Sequence, residues 1–477
     1  MNRILAVAVL LGMIGCSVTQ PYVTNISPAG EQGILVEKCK VQFNSQNIDE
    51  GDLFIALPGQ RDGHEFVADA LKRGANGAIV SKDIDGVNQQ KLIKVSDTFE
   101  ALGKLSEYKR HKSKAKFIAV TGSVGKTSTK EAIKIMLEAY GNVHASHGTF
   151  NNFLGVPLTL ACMPDDTDYA IIEMGMNAKG EISSLSNQVI PDIAVITSIS
   201  EGHLEFFDSV EEIADAKCEI FEGLDINEGT AIINRDIDVY KQCLQNVDSA
   251  RLQNIQTFGK NAESDVQFIL HEILDNQSTR LIYNINEEYI EIVIDHVVPM
   301  HLAENFAAAF AVVKALHLDI DPAAGAICSF QAVLGRGQVV SIDKGDKSYR
   351  IICDYYNSNP QSLQASLEYL TQFISDDKMA ILGDMRELGK KQILLHKRMI
   401  PYIKDSGISK LFLVGEIMQQ IKNDLPSNIL VRCYLDTESL IAEIYQYVKG
   451  GELILIKGSR GLKLEKLAKH LGVLNVL

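Results

Sequence analysis

The 477-residue chain lacks the features that define several large functional classes. Its eight cysteines, at positions 16, 39, 162, 218, 243, 328, 353 and 433, form no C-x-x-C pair and no zinc spacing. That pattern excludes a disulfide scaffold and fits reduced thiols in the cytoplasm. Cations are in deficit, with 46 Lys plus Arg against 61 Asp plus Glu and a formal net charge of -15. A nucleic-acid coat needs clustered Lys and Arg, so no nucleic-acid partner is expected. A polyphosphate ligand remains compatible, because it needs few local donors and a cation held by carboxylates. Long Gly/Ser or Pro tracts are absent, which argues against extended disorder. The apolar run 4–14, behind Arg3 and ahead of Cys16, is short. It reads either as a lipoprotein-type export signal or as an amphipathic first helix. The second reading is preferred, with no stable membrane insertion.

What is present points to a multidomain α/β protein. A chain of this length exceeds one hydrophobic core. Residues 41–80 alternate short strands with a helix at 65–73, and the basic stretch 104–116 reads as a linker. Apolar strands follow at 117–120, 169–173, 193–197 and 230–234 with helices between, the alternation of a mostly parallel sheet. Residues 266–294 read as an antiparallel subsheet before a helix at 303–316. After Gly335 the alternation restarts, with strands at 349–353, 379–382, 411–414 and 453–456. This third block is Rossmann-like but has no G-x-G-x-x-G, so no dinucleotide is assigned to it. The expected organisation is three domains, 1–110, 111–332 and 333–477.

The strongest motif is Val120-Thr121-Gly122-Ser123-Val124-Gly125-Lys126-Thr127-Ser128, a strand entering a Gly-rich turn and then a helix. Glycines let backbone N–H groups approach phosphate oxygens, and the helix N-terminus adds a favourable dipole. Lys126 supplies a point charge and Thr127 a magnesium ligand. Valine stands at position 120, where the usual phosphate loop has glycine. No Asn-Lys-x-Asp guanine signature is present, and the loop alone leaves the choice of nucleotide open.

The loop at 121–127 resembles that of the Mur ligase family, and further segments agree in order over most of the chain. They include Phe150-Asn151-Asn152-Phe153-Leu154-Gly155-Val156-Pro157, the segment around Glu173, His203 within Ser200-Glu201-Gly202-His203-Leu204, and Lys217. His301 and Asn305, Leu334-Gly335-Arg336-Gly337, Asp354-Tyr355-Tyr356-Asn357-Ser358-Asn359-Pro360, Gly383-Asp384 with His396, and Lys457-Gly458-Ser459-Arg460 continue the match. The resemblance implies a small UDP-substrate domain, a central phosphate-loop domain and a C-terminal Rossmann-like ligase domain. It implies a monomeric cytoplasmic enzyme that uses ATP and Mg²⁺ to join D-alanyl-D-alanine to UDP-N-acetylmuramoyl tripeptide through an acyl phosphate.

By the same resemblance Lys126, Lys217, His203 and Arg336 are catalytic, and Thr127, Glu173, His203 and a carbamylated Lys217 hold the metal. Residues Gly122, Ser123, Val124, Gly125, Lys126, Thr127, Ser128, Asn305 and Asp354 bind the nucleotide; Asn151, Asn152, Asn357, Asn359 and Arg460 bind substrate. Read alone, Lys217 is a solvated helix lysine, His301 a helix-start residue and Arg336 a surface charge. The alternatives are a sister ligase or folylpolyglutamate-type ligase that adds one amino acid, a P-loop switch or transport ATPase, and an exported scaffold. In the first module Asn44-Ser45-Gln46 stands where the family usually has Asp-Ser-Arg, removing a charged fork suited to diphosphate. Cys353 stands where an acidic residue is common, and Thr149 replaces an asparagine.

Overall fold

The computed structural model of the protein describes residues 25–26, 34–35, 40–59, 61–148, 150–202, 204–345 and 347–474. The apolar run 4–14, Thr149 and His203 lie outside the described residues. The chain divides into two compact units. The first comprises 1–118, 141–174 and 187–190; the second comprises 119–140, 175–186 and 191–477.

In the first unit the strands Val41–Gln42, Leu53–Ile55, Gly77–Val80 and Leu92–Lys94 form a parallel sheet in chain order. Residues 104–116 are not a linker. They lie largely within the 15-residue helix Thr98–Lys112, whose N-cap Asp97 accepts from the Phe99 and Glu100 amides. Ala101, Leu102 and Leu105, spaced for one helical face, pack with Val41, Ile55, Leu158 and Ala161. Its basic residues divide by face: Lys109 is buried and bonded to Asp165 at 2.8 Å, while Lys112 stays partly exposed.

In the second unit the strands Ile193–Ile196, Thr230–Asn234, Asn254–Gly259 and Val266–Ile273 run parallel. Thr279–Ile285 and Glu288–Ile294 then extend the same sheet antiparallel. The expected antiparallel subsheet is present, as a continuation of the parallel sheet. The outermost strand, Glu288–Ile294, pairs on one side only and leaves Tyr289 and Val293 exposed. Arg280 on its neighbour reaches Glu291 at 2.8 Å and Glu272 at 3.4 Å.

The helix Lys126–Leu137 packs against Met300–Ala315, an alanine-rich helix whose Ala303, Ala307, Ala308 and Ala311 permit close approach.

The rest of this unit is a six-stranded sheet in the order Gln338–Asp343, Ser348–Asp354, Leu453–Lys457, Lys378–Gly383, Lys410–Val414 and Leu430–Tyr434. The first strand is antiparallel to the second and the others are parallel. Leu453–Lys457 is buried throughout, as its unbroken apolar run requires of a central parallel strand. The last strand of the chain is thus inserted between the first and second parallel strands. Asp354, Gly383 and Lys457 close adjacent strands at their carboxyl ends, where open α/β sheets bind ligands.

Candidate active site

The phosphate loop takes its shape from two glycines and a hydroxyl clamp. The strand Lys116–Thr121 continues through Val120, which is fully buried, so the turn begins at Gly122 and the departure at position 120 shortens the loop without opening it. Gly122 has φ +155°, and a Cβ there would collide with the Thr197 hydroxyl. Gly125, at φ +87°, is the left-handed N-cap of the helix Lys126–Leu137, and its Cβ would stand 2.7 Å from Asn305 Oδ1.

The chain just beyond the strand Ile193–Ile196 holds the loop from one side. The Ser123 amide donates to Ser198 O at 2.8 Å and the Val124 amide to Ser198 Oγ at 3.0 Å. The Thr197 and Ser198 hydroxyls both donate to Val124 O, and the Ser200 amide donates to Ser123 Oγ. Asn234 Nδ2 donates in turn to Thr197 O. These clamp residues were not singled out from the sequence; the hydroxyl-rich Thr197-Ser198-Ile199-Ser200 at a strand end was the available signal.

Gly122→Ala is expected to lower nucleotide affinity by at least ~10-fold, because Thr197 is bonded to the loop carbonyls and cannot retreat. Titration with a fluorescent ATP analogue, alongside a melt showing a folded protein, checks this.

The electrostatics of the loop favour an anion. Lys126 Nζ lies over the loop, donating to Gly122 O at 2.6 Å. Lys217, on the helix Val210–Cys218, is 1% exposed, so the solvated reading is wrong. Burial, and then repulsion from Lys126, hold its pKa well below the usual lysine value. Asn305 is buried beside Gly125, and His301 begins the same helix as expected. Burial pushes the His301 pKa down to about 4, so this imidazole is neutral at pH 7.

A second group lies at the carboxyl ends of the six-stranded sheet. The Arg336 guanidinium sits 4.2 Å from the centre of the Tyr356 ring and that of Arg460 sits 4.8 Å from it. Arg460 also donates to the Tyr356 hydroxyl at 2.7 Å. Asp354 is paired with buried Lys457 at 3.1 Å, and Lys457 donates to Asn357 O at 2.7 Å. Asn357 is exposed, and its Oδ1 accepts from the Ser358 amide. Asn359 is the N-cap of the helix Pro360–Thr371 in a capping box with Ser362. Its Nδ2 faces Gly202. His396 is fully buried and structural: Nε2 accepts from the Met385 amide at 2.9 Å and Nδ1 lies 2.7 Å from Gln392 O. Neither Tyr356 nor Lys457 had been assigned a role from sequence.

In the first unit Asn151 Nδ2 donates to Oε1 of the fully buried Glu173 at 2.8 Å, fixing that carboxylate. Asn152 Oδ1 accepts from the Leu154 and Gly155 amides at the start of the helix Gly155–Ala161. Asn44 likewise accepts from the Gln46 amide, a role asparagine fills as well as aspartate. Gln46 is exposed, so its departure from arginine is a loss of charge rather than of structure.

Residues 120–313 match the Mur ligase middle domain and residues 335–460 the Mur ligase glutamate ligase domain. The UDP-N-acetylmuramoyl-tripeptide--D-alanyl-D-alanine ligase of Rickettsia prowazekii is 46% identical over 431 residues, covering 90% of this chain and 94% of that protein. The chain belongs to the Mur ligase family, in its MurF branch. The Bacillus subtilis MurF-type ligase is 33% identical over 90% of this chain and 92% of its own length. Among solved structures, MurF from Thermotoga maritima in complex with ADP superposes with a TM-score of 0.75 at 26% identity, covering 92% of this chain and 98% of that one. A Mycobacterium tuberculosis folylpolyglutamate synthase, at 16% identity and TM-score 0.60, shares the fold.

Proposed function

We propose that Lys126, Lys217, Arg336 and His203 serve the ATP-dependent joining of D-alanyl-D-alanine to UDP-N-acetylmuramoyl tripeptide, the reaction of the MurF branch. The chain is a ligase of peptidoglycan precursor synthesis. The observation that carries the reading is a phosphate loop shaped by Gly122 and Gly125, in a chain aligned along 90% of its length with ligases of this name. A substrate carboxylate attacks the γ-phosphate of ATP, and the amine of D-alanyl-D-alanine captures the acyl phosphate, releasing ADP and phosphate. Two anions must meet, so fixed positive charge has to compensate the charge redistributed in the transition state. Lys126 at a helix N-terminus supports that role for it, and the proximity of Asn305 to Gly125 supports its contact with the nucleotide.

Magnesium fits the donor set in kind: the Thr127 hydroxyl and the Glu173 carboxylate are hard oxygen donors. Among the described residues no group of three or more His, Cys, Asp and Glu converges on a metal, and Mg²⁺ is usually held by one or two carboxylates plus nucleotide phosphates. When bound, Mg²⁺ supplies charge compensation on the phosphates. Thr127, Glu173, His203 and Lys217 would hold it, with Lys217 as a carbamate. A buried lysine with a depressed pKa is the nucleophilic amine that adding carbon dioxide requires, and the product is an anion suited to a cation. Asp354 contributes through Lys457 rather than as an open carboxylate. Asn151 orients Glu173, Asn152 shapes a substrate loop through its bonds to the Leu154 and Gly155 amides, and Asn359 shapes another as a helix cap.

Domains at 1–110, 111–332 and 333–477, a monomeric state, a cytoplasmic location and the absence of a nucleic-acid partner complete the reading. No helix among the described residues is long and apolar enough to cross a membrane. The test is phosphate release with Mg-ATP and UDP-muramoyl tripeptide, with and without D-alanyl-D-alanine, and product mass. A UDP-muramoyl pentapeptide formed only with all substrates is expected. Activity with a single amino acid instead would overturn the assignment.

A further inference from the structure

Two guanidiniums share one aromatic ring. Arg336 and Arg460 lie 4.2 and 4.8 Å from the centre of Tyr356, and neither has an ion-pair partner among the described residues. Like charges gathered this closely repel, and what holds them is specific. The backbone of Arg336 is pinned by the Tyr356 amide donating to Gly335 O at 3.0 Å and the Gly337 amide donating to Cys353 O at 2.8 Å. Gly335, at φ +82°, lies against the side chains of Tyr355 and Tyr356. Arg460 is pinned from the other end of the chain through the Tyr356 hydroxyl. The nearest carboxylate in this group, Asp354, is already paired with Lys457. Arg336, Lys457 and Arg460 against Asp354 leave a net positive site in a chain of formal charge -15.

We propose that Tyr356 is a positioning residue for the ligase reaction, gathering Arg336 and Arg460 into one two-guanidinium receptor for an oxyanion of the reactants. The inference rests on the ligase reading above. The oxyanion is either the phosphoryl group in transfer or the carboxylate of D-alanyl-D-alanine, since planar guanidiniums bind both in forked pairs. The ring supplies the stacking surface that keeps both forks oriented, and the hydroxyl sets the rotation of one of them.

Steady-state kinetics of the full chain test this with Tyr356→Leu and Tyr356→Phe. The leucine variant removes the ring and is expected to lower kcat/KM by at least ~30-fold, while phenylalanine restores the rate to within ~3-fold of wild type. A fall in kcat at unchanged KM for D-alanyl-D-alanine identifies the phosphoryl group; a rise in that KM identifies the carboxylate. Arg460→Lys, at an exposed position, keeps the charge but loses the fork and the stack. It is expected to reproduce the leucine defect and serves if Tyr356→Leu melts early. Wild-type-like rates for Tyr356→Leu, or a phenylalanine variant as impaired as leucine, overturn the proposal. A wild-type protein that forms no pentapeptide defeats the ligase reading instead.

Discussion

Replacing Lys126 with alanine is expected to lower kcat/KM by at least ~10³-fold, about 4 kcal/mol of lost transition-state stabilisation. The side chain is already laid over the loop by its bond to Gly122 O, so little reorganisation precedes its action on a phosphate. Its removal also takes away a cation that, after burial, depresses the Lys217 pKa, which should rise in the variant. The fold should be unaffected, because the loop keeps its bonds to Thr197 and Ser198 when the lysine's bond to Gly122 O is lost. Pentapeptide formation and a thermal melt on one preparation check both statements; a folded variant with near-native turnover would remove Lys126 from the site.

Lys217→Met is expected to divide stability from activity. The wild-type side chain is buried, and its pKa is depressed by desolvation and then by the neighbouring Lys126 cation. A lysine whose folded pKa is depressed binds fewer protons in the native state than in the unfolded chain. Stability therefore rises with pH from that depressed pKa up to the unfolded value near ~10.4. Below the window the full penalty applies, and methionine, similar in length and uncharged, removes it. The variant should be more stable at neutral pH than the uncarbamylated, metal-free wild type, with the advantage shrinking as the pH is raised, while turnover falls by at least ~10²-fold. Denaturant melts at several pH values with parallel assays measure both. A variant that is less stable at neutral pH would mean that Lys217 is charged and paired in the working enzyme.

Elements with one dominant physical signal were legible in the sequence. The strands Tyr169–Glu173 and Thr230–Asn234 have the expected bounds, because continuous apolar runs between turns leave little choice. The strands Gln338–Asp343 and Leu430–Tyr434 were missed; both lie at sheet edges, and their half-exposed faces break the apolar run. The helix Thr98–Lys112 was obscured by its own outer face, whose cations outweighed Ala101, Leu102 and Leu105 to the eye.

The site divides in the same way. The phosphate loop is local in sequence and its glycines announce its shape. The clamp residue Ser198 meets Val124 across 74 positions, and Arg460 meets Tyr356 across 104. Such pairings leave no periodicity to read. Lys217 was misjudged when read alone because lysines are usually exposed, and only the packing of its helix shows that this one is not.

The one-sided strand Glu288–Ile294 bears on how the protein tolerates crowding. An open row of backbone donors and acceptors invites another copy to add its own strand, the first step of templated polymerisation. Here Glu287 and Glu288 stand at the start of that edge and Glu291 within it, so two copies approaching rim to rim would bring carboxylates against carboxylates. Arg280 is engaged by Glu291 and Glu272 and is not available to bridge the copies. The fold thus carries along this border a charge barrier against self-templating.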